Sequence, residues 1–185
     1  MGNHNTVTLE PGLYLIATPI GAARDITLRA LDILACADVL AAEDTRTLRK
    51  LMDIHGISLG NRRIMSFHDH NARAALPKVL AAMEDGKSVV YASEAGTPLV
   101  SDPGYELTRA VIDAGLPLVC APGPTAAVAA LTLSGLASDS FFFAGFLPAR
   151  SAKRKSALEA LRTVPGTLIF YESPKRVAAM LADAV

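Results

Sequence analysis

Three short stretches share one mixture of residue types: Ala17-Thr18-Pro19-Ile20-Gly21, Ser93-Glu94-Ala95-Gly96-Thr97-Pro98 and Ala121-Pro122-Gly123-Pro124-Thr125. Each follows an apolar run and sets Gly and Pro beside a Thr. Gly lets backbone amides approach a ligand closely, Pro stiffens the loop and Thr adds a hydroxyl that donates and accepts. Such residues also merely turn corners in α/β proteins. Three of them at equivalent strand ends favour a bound ligand over punctuation. No G-x-G-x-x-G follows the first apolar run, and no G-x-x-x-x-G-K-[ST] occurs, which argues against a dinucleotide or a nucleoside triphosphate held in the usual ways. These loops carry no lysine. Backbone-rich and nearly uncharged, they suit a zwitterionic or mildly cationic small molecule.

Titratable residues cluster elsewhere. "AEDTR" places Glu43 and Asp44 at the end of a second apolar run, where Asp44 and Thr45 also fit a helix cap with first-turn acids favoured by the dipole. "HDH" sets His68 and His70 two apart, a spacing open to metal ligation, but no third ligand stands nearby at a recognisable interval. A solvated turn and no metal are expected. Arg150, Lys153, Arg154 and Lys155 lie within six residues without an acid, which reads as a contact for phosphates, against the plainer alternative of a solvated helix face.

The elements that position these groups follow from hydrophobic period. Short runs fit strands at 13–17, 38–42, 63–67, 88–92 and 117–121, alternating with helical patterns at 27–37, 45–55, a segment started by Pro77 and running to Gly86, 105–114 and 125–134. Strands apolar on both faces and separated by helices imply an open parallel sheet of about five strands covered on both sides. After it, "SFFFAGFLP" opens a different composition. The expected organisation is therefore an α/β domain over 12–140 and the beginning of a second α/β domain over 141–185, which reads as incomplete.

Composition bounds the partners. The chain has 185 residues, 51% hydrophobic and 19% charged, as in a packed globular protein. Lys plus Arg and Asp plus Glu balance at 18 each, yet residues 1–145 carry 11 basic and 15 acidic side chains and residues 146–185 carry 7 and 3. Cys36 and Cys120 sit in apolar contexts and read as buried thiols of a reducing compartment. No secretory signal is visible, and the uncharged stretch 115–138 is broken by Pro117, Pro122 and Pro124, so a cytoplasmic protein without a membrane span is expected.

"LYLIATPIGAARDITLRAL", "VLAAEDTRTLRKLM", "SFHDHN", "SEAGTPLVSDPGYELTRA", "APGPTAAVAAL" and "FYESPKR" together resemble the ribosomal RNA small subunit methyltransferase I family, within the tetrapyrrole methylase-like superfamily. The resemblance runs from Gly12 onward in the family's order, departing mildly at Ala22 and Glu94. It implies a two-domain tetrapyrrole methylase-like fold, an S-adenosylmethionine-dependent 2′-O-methyltransferase acting on a cytidine of small-subunit ribosomal RNA, and a homodimer. It further implies cofactor contacts at Pro19 and Gly21, at Ala95, Gly96, Thr97 and Pro98, at Thr125 and Ala126, and at Tyr171. For that chemistry a base is needed, with Glu43, Asp44 and His68 or His70 as candidates. Arg46, Arg150, Lys153, Arg154 and Lys155 are the expected RNA contacts. A tetrapyrrole-type small-molecule methyltransferase and a non-catalytic RNA-binding module are the alternatives.

Overall fold

The computed structural model describes residues 3–185, which divide into two compact units, one ending at Thr125 and one running from Ala126 to Val185. In the first, five strands, β1 (Gly12–Ile16), β2 (Val39–Ala42), β3 (Ile64–Ser66), β4 (Ser88–Ala92) and β5 (Leu118–Ala121), form a parallel sheet in the order β3-β2-β4-β1-β5. They alternate with α1 (Leu28–Cys36), α2 (Thr45–Ile54), α3 (Ala72–Glu84) and α4 (Tyr105–Asp113).

The chain steps one way across the sheet from β1 to β3 and the other way from β3 to β5. Crossovers between parallel strands are right-handed, so a reversal of direction moves the connecting helices to the opposite face. Burial agrees: Leu31 and Leu34 of α1 and Leu48 and Met52 of α2 pack with Tyr14, Ile16, Leu40 and Val90, while Val79 and Met83 of α3 and Leu107 and Val111 of α4 pack with Leu13, Leu15, Val89 and Tyr91. Alternate residues of β1 and β4 thus serve opposite layers, as a period of two requires. Full burial of each such side chain is worth about 1.5–3 kcal/mol. The reversal also opens a crevice at the carboxyl ends of the central strands, the usual ligand position in open α/β sheets.

Caps fix where the helices begin. Thr27 accepts a hydrogen bond from Ala30 N at 3.2 Å, and Asp44 accepts from Arg46 N at 2.7 Å and Thr47 N at 3.2 Å. Both are N-cap residues whose side chains satisfy otherwise orphaned amides. Asn71 staples the turn after β3, accepting from His68 N at 2.9 Å and donating to Ser66 O at 3.0 Å.

That staple explains one difference from expectation. The third helix starts at Ala72, and Pro77 lies inside it rather than in its first turn. An interior proline removes a backbone donor and costs about 3 kcal/mol. Ala72, Ala75, Val79 and Met83 keep a buried stripe on both sides of it, so packing carries the helix through. The edge strands also differ from the expected double burial: β3 is half-buried, and Leu118 and Cys120 of β5 are exposed, so Cys120 is not a buried thiol.

The second unit comprises α5 (Ala126–Ser134), β6 (Phe141–Phe146), α6 (Ser151–Leu161), β7 (Thr167–Tyr171) and α7 (Val177–Ala184), with β6 and β7 a parallel pair. Ala127 and Leu131 of α5 pack with Ile169 of β7, so α5 groups with this unit, whereas the change of composition falls at 140/141. Among the described residues no helix is long and apolar enough to cross a membrane.

Candidate functional site

The three Gly/Pro/Thr corners are brought together and bonded to one another. Thr18 and Gly96 form an antiparallel bridge in which each N–H donates to the other's carbonyl at 2.9 Å. The Thr97 hydroxyl donates to Pro124 O at 3.0 Å, linking the second corner to the third. Ser93 Oγ donates to Gly96 O at 2.6 Å, and the Thr18 hydroxyl donates to Ser93 O at 3.2 Å, so buried hydroxyls consume polar groups that would otherwise be orphaned. Gly96 has φ of +84°, and a Cβ there would lie 3.2 Å from Ile20 Cγ2 and 3.6 Å from Pro124 O. Only glycine adopts that conformation without strain in so close an approach.

Beside this rim lies a cavity of about 190 Å³, lined by Thr18, Pro19 and Gly21 of the first corner, Ser93 and Glu94 of the second, and Lys50 and Leu51 of α2 among others. Pro19 and Gly21 therefore line it directly. Gly96 and Pro98 are buried behind the rim, Ala95 is exposed on it, and Thr97 and Thr125 are half-buried. Lys50, Ser93 and Thr18 line the cavity without having been picked out from the sequence. Thr18 and Ser93 stand within the quoted corners; nothing local distinguishes Lys50 from other helix lysines.

The "SEAGTPLVSDPG" stretch continues as a strained loop. Leu99 and Ser101 sit at φ of 70° and 62°, costing on the order of 1–3 kcal/mol each, and such outliers persist only when surroundings over-determine them. Gly104 permits this: a Cβ there would come 2.9 Å from Tyr91 Cε1, and the Tyr91 hydroxyl donates to Pro103 O at 3.1 Å. Desolvation raises the Tyr91 hydroxyl well above its ordinary value, so it stays a neutral strut.

Among the expected proton acceptors, Asp44 is committed. Its carboxylate takes hydrogen bonds from the Arg46 guanidinium, at 2.8 and 3.3 Å, and from two backbone amides. The Arg46 hydrogen bonds above all hold its carboxyl far below the usual range, which makes it a weak base. Glu43 Oε2 accepts from Glu94 N at 3.1 Å and so ties the second strand's end to the second corner. His68 and His70 face each other edge to face at 5.9 Å. Asp102, passed over in the sequence, lies half-buried on a separate 370 Å³ cavity with Phe67, Asp69 and Tyr105. Burial, and then the nearby charges of Glu43 and Glu94, push its carboxyl up to about 6. A carboxyl near neutrality is tuned for proton transfer in a way that Asp44 is not.

In the second unit, the Tyr171 hydroxyl accepts a hydrogen bond from Ala127 N at 3.0 Å and its ring meets Phe143 and Phe146 edge to face. Tyr171 is thereby pinned next to Ala126 at the start of α5. Arg150, Lys153 and Lys155 are exposed, but Arg154 is buried. Its Nε donates to Asp183 Oδ2 at 2.8 Å and its Nη1 to Ala149 O at 3.1 Å, clamping α6 to α7. Arg154 thus departs from the expected phosphate-facing role, because a carboxylate from α7 captures it.

An open parallel sheet with backbone-rich loops gathered at its carboxyl ends, followed by a βαβ unit, defines an α/β protein built around a carboxyl-end ligand crevice. The chain belongs to the tetrapyrrole (corrin/porphyrin) methylases, whose family model matches residues 12–184. That family is of the S-adenosylmethionine-dependent methyltransferase class. Over 177 residues the chain is 57% identical to ribosomal RNA small subunit methyltransferase I of Mesorhizobium japonicum, covering 96% of this chain and 59% of that protein. It is 45% identical to the protein of the same name from Escherichia coli O157:H7, covering 100% of this chain and 64% of the relative. The chain therefore spans about three fifths of the length of these curated relatives. The crystal structure of a cobalamin biosynthetic enzyme, cobalt precorrin-4 methyltransferase, superposes with a TM-score of 0.66 at 17% identity, covering 93% of this chain and 73% of that one, which is a likeness of fold.

Proposed function

We propose that the protein transfers a methyl group from S-adenosylmethionine to the 2′-oxygen of a cytidine ribose in small-subunit ribosomal RNA, as a cytoplasmic homodimer. The observation that carries the reading is the bonded rim of Thr18, Gly96, Thr97 and Pro124 beside the 190 Å³ cavity, on a chain 57% identical to a curated ribosomal RNA methyltransferase. The residues present fit the cofactor: a backbone-rich rim, with Glu94 and Lys50 lining the cavity beside it, suits a zwitterion bearing a sulfonium, and Gly96 leaves the space that a Cβ would fill against Ile20. Pro19, Gly21, Ala95, Gly96, Thr97, Pro98 and Thr125 of the first unit would hold it. When bound, it supplies an electrophilic methyl group on a positively charged sulfur.

The chain's own work is then to orient and to deprotonate. Stiff prolines and mutual hydrogen bonds fix the rim, and positioning alone reaches effective molarities of about 10⁵ M in favourable cases. A ribose hydroxyl is a poor nucleophile while protonated. Asp102 is our candidate to take that proton: its carboxyl is raised to about 6, and Glu94, whose charge acts on it, lines the 190 Å³ cavity, while Glu43 positions the second corner through Glu94 N. Arg150, Lys153 and Lys155 meet RNA phosphates.

The test is transfer of tritium from labelled S-adenosylmethionine to small ribosomal subunits prepared without the modification. Label is expected in a dinucleotide resistant to alkaline hydrolysis, because a blocked 2′-oxygen cannot attack its phosphate. Label appearing in a tetrapyrrole instead, or in no substrate despite cofactor binding, contradicts the reading.

A further inference from the structure

The first unit is acidic by count, yet it gathers cations into one concave place that the proposed methyl transfer does not use. Arg46, Arg49 and Lys50 project from one side of α2, at spacings that put them on neighbouring turns, and Arg63 approaches from the segment leading into β3. Together with Arg62 and Asp53 they line a groove of about 560 Å³. Arg62 is not available for a ligand. Its guanidinium donates to Leu34 O at 2.8 Å, Ala37 O at 2.9 Å, Ser58 O at 2.7 Å and Leu59 O at 3.2 Å, which bolts the 58–62 turn to the end of α1 and makes the groove wall rigid. Arg46 is held by Asp44.

Arg49, Lys50 and Arg63 are exposed, and among the described residues none of them forms an ion pair. A solvated helix face scatters its charges and laces them with acids. Here cations from two elements converge on one hollow whose only acidic lining residue is Asp53, against the sign of the unit as a whole. Such convergence focuses the field on a polyanion. Lys50 lines both this groove and the 190 Å³ cavity beside the corners, so a chain lying in the groove leads into the candidate site.

We propose that this groove seats the phosphodiester backbone of the substrate RNA, with Arg49 and Arg63 as phosphate contacts and Lys50 at the junction with the 190 Å³ cavity. The inference rests on the ribosomal RNA reading above and adds a second phosphate-binding surface to that of Arg150, Lys153 and Lys155.

The test compares the full chain with the double variant Arg49→Gln/Arg63→Gln, leaving Lys50 intact. Binding of a fluorescently labelled single-stranded RNA decamer is followed by anisotropy across a potassium chloride series, alongside binding to intact small subunits and calorimetry with S-adenosylmethionine. Loss of two phosphate contacts should reduce the slope of log affinity against log salt by about 1.4. Cofactor affinity and the thermal midpoint should stay unchanged, and Arg49→Lys/Arg63→Lys should restore the slope. An unchanged slope overturns the proposal. So does weakened binding to intact subunits with naked RNA binding intact, which would assign the groove to a ribosomal protein. If the wild-type chain binds the cofactor but neither binds RNA nor methylates subunits, the ribosomal RNA reading itself fails along with it; if it methylates subunits while the double variant keeps the wild-type slope, only the groove assignment fails.

Discussion

Thr18 and Gly96 come from corners almost eighty residues apart and exchange two backbone hydrogen bonds of 2.9 Å. That bridge, with the bond from Thr97 to Pro124 O, turns three separate loops into one rim. A β-branched side chain at position 96 would have to adopt φ of +84° and meet Ile20. Gly96→Val should therefore abolish cofactor binding by calorimetry while unfolding stays cooperative by circular dichroism, with a stability loss of about 1–3 kcal/mol from backbone strain. Wild-type affinity in this variant would remove the rim from the cofactor's site.

Asp102→Asn keeps the shape of the side chain and removes its basicity. Methyl transfer should fall by about 10²–10⁴-fold, the usual contribution of a positioned base, with cofactor affinity within twofold of wild type. In the wild-type protein the rate should rise with pH through about 6, where Asp102 ionises, and this limb should vanish in the variant. Retention of the limb would point to another acceptor.

The same group gives stability a pH dependence of definite sign. Because burial raises its folded pKa above the ordinary value of 3.8, folding favours the protonated form. Its contribution is complete below about pH 4 and is lost as pH rises through about 6. Thermal midpoints of wild type minus Asp102→Asn, measured from pH 4 to 8, should fall across that window and level off above it.

Asp44 separates a cap from a catalyst. Asn caps a helix about as well as Asp, whereas Ala does not. Asp44→Asn should keep nearly the wild-type thermal midpoint and substantial activity, and Asp44→Ala should lower the midpoint. Loss of turnover in Asp44→Asn with the midpoint kept would restore Asp44 as the base.

Arg154 and Lys153 are neighbours in sequence and opposite in role. Arg154→Met should destabilise the second unit, by freeing Asp183, and leave the salt slope of RNA binding as it was. Lys153→Gln with Lys155→Gln should do the reverse. Equal effects of both on the slope would contradict the burial of Arg154.

Much of this was legible from residue order. The five strands of the first sheet and their helices follow from apolar period and from Gly and Pro punctuation within a residue or two, except for the start of the third helix, and the corners announce themselves through Gly, Pro and Thr. What escaped depends on distant partners. Arg154 looks like any surface cation until Asp183, 29 residues on, is packed against it. Asp102 looks like a turn residue until Glu43 and Glu94 stand beside it. Pro77 signals a helix start locally, and only the buried stripe from Ala72 to Met83 overrides that signal. The groove of Arg49, Lys50 and Arg63 is hidden in a region whose net charge is acidic.

The most direct measurement is a crystal structure of the chain with S-adenosylhomocysteine. The account predicts the ligand seated against Pro19, Gly96 and Thr97, with backbone atoms of the corners as its main polar partners. A ligand bound elsewhere on the molecule, or none at saturating concentration, would contradict it.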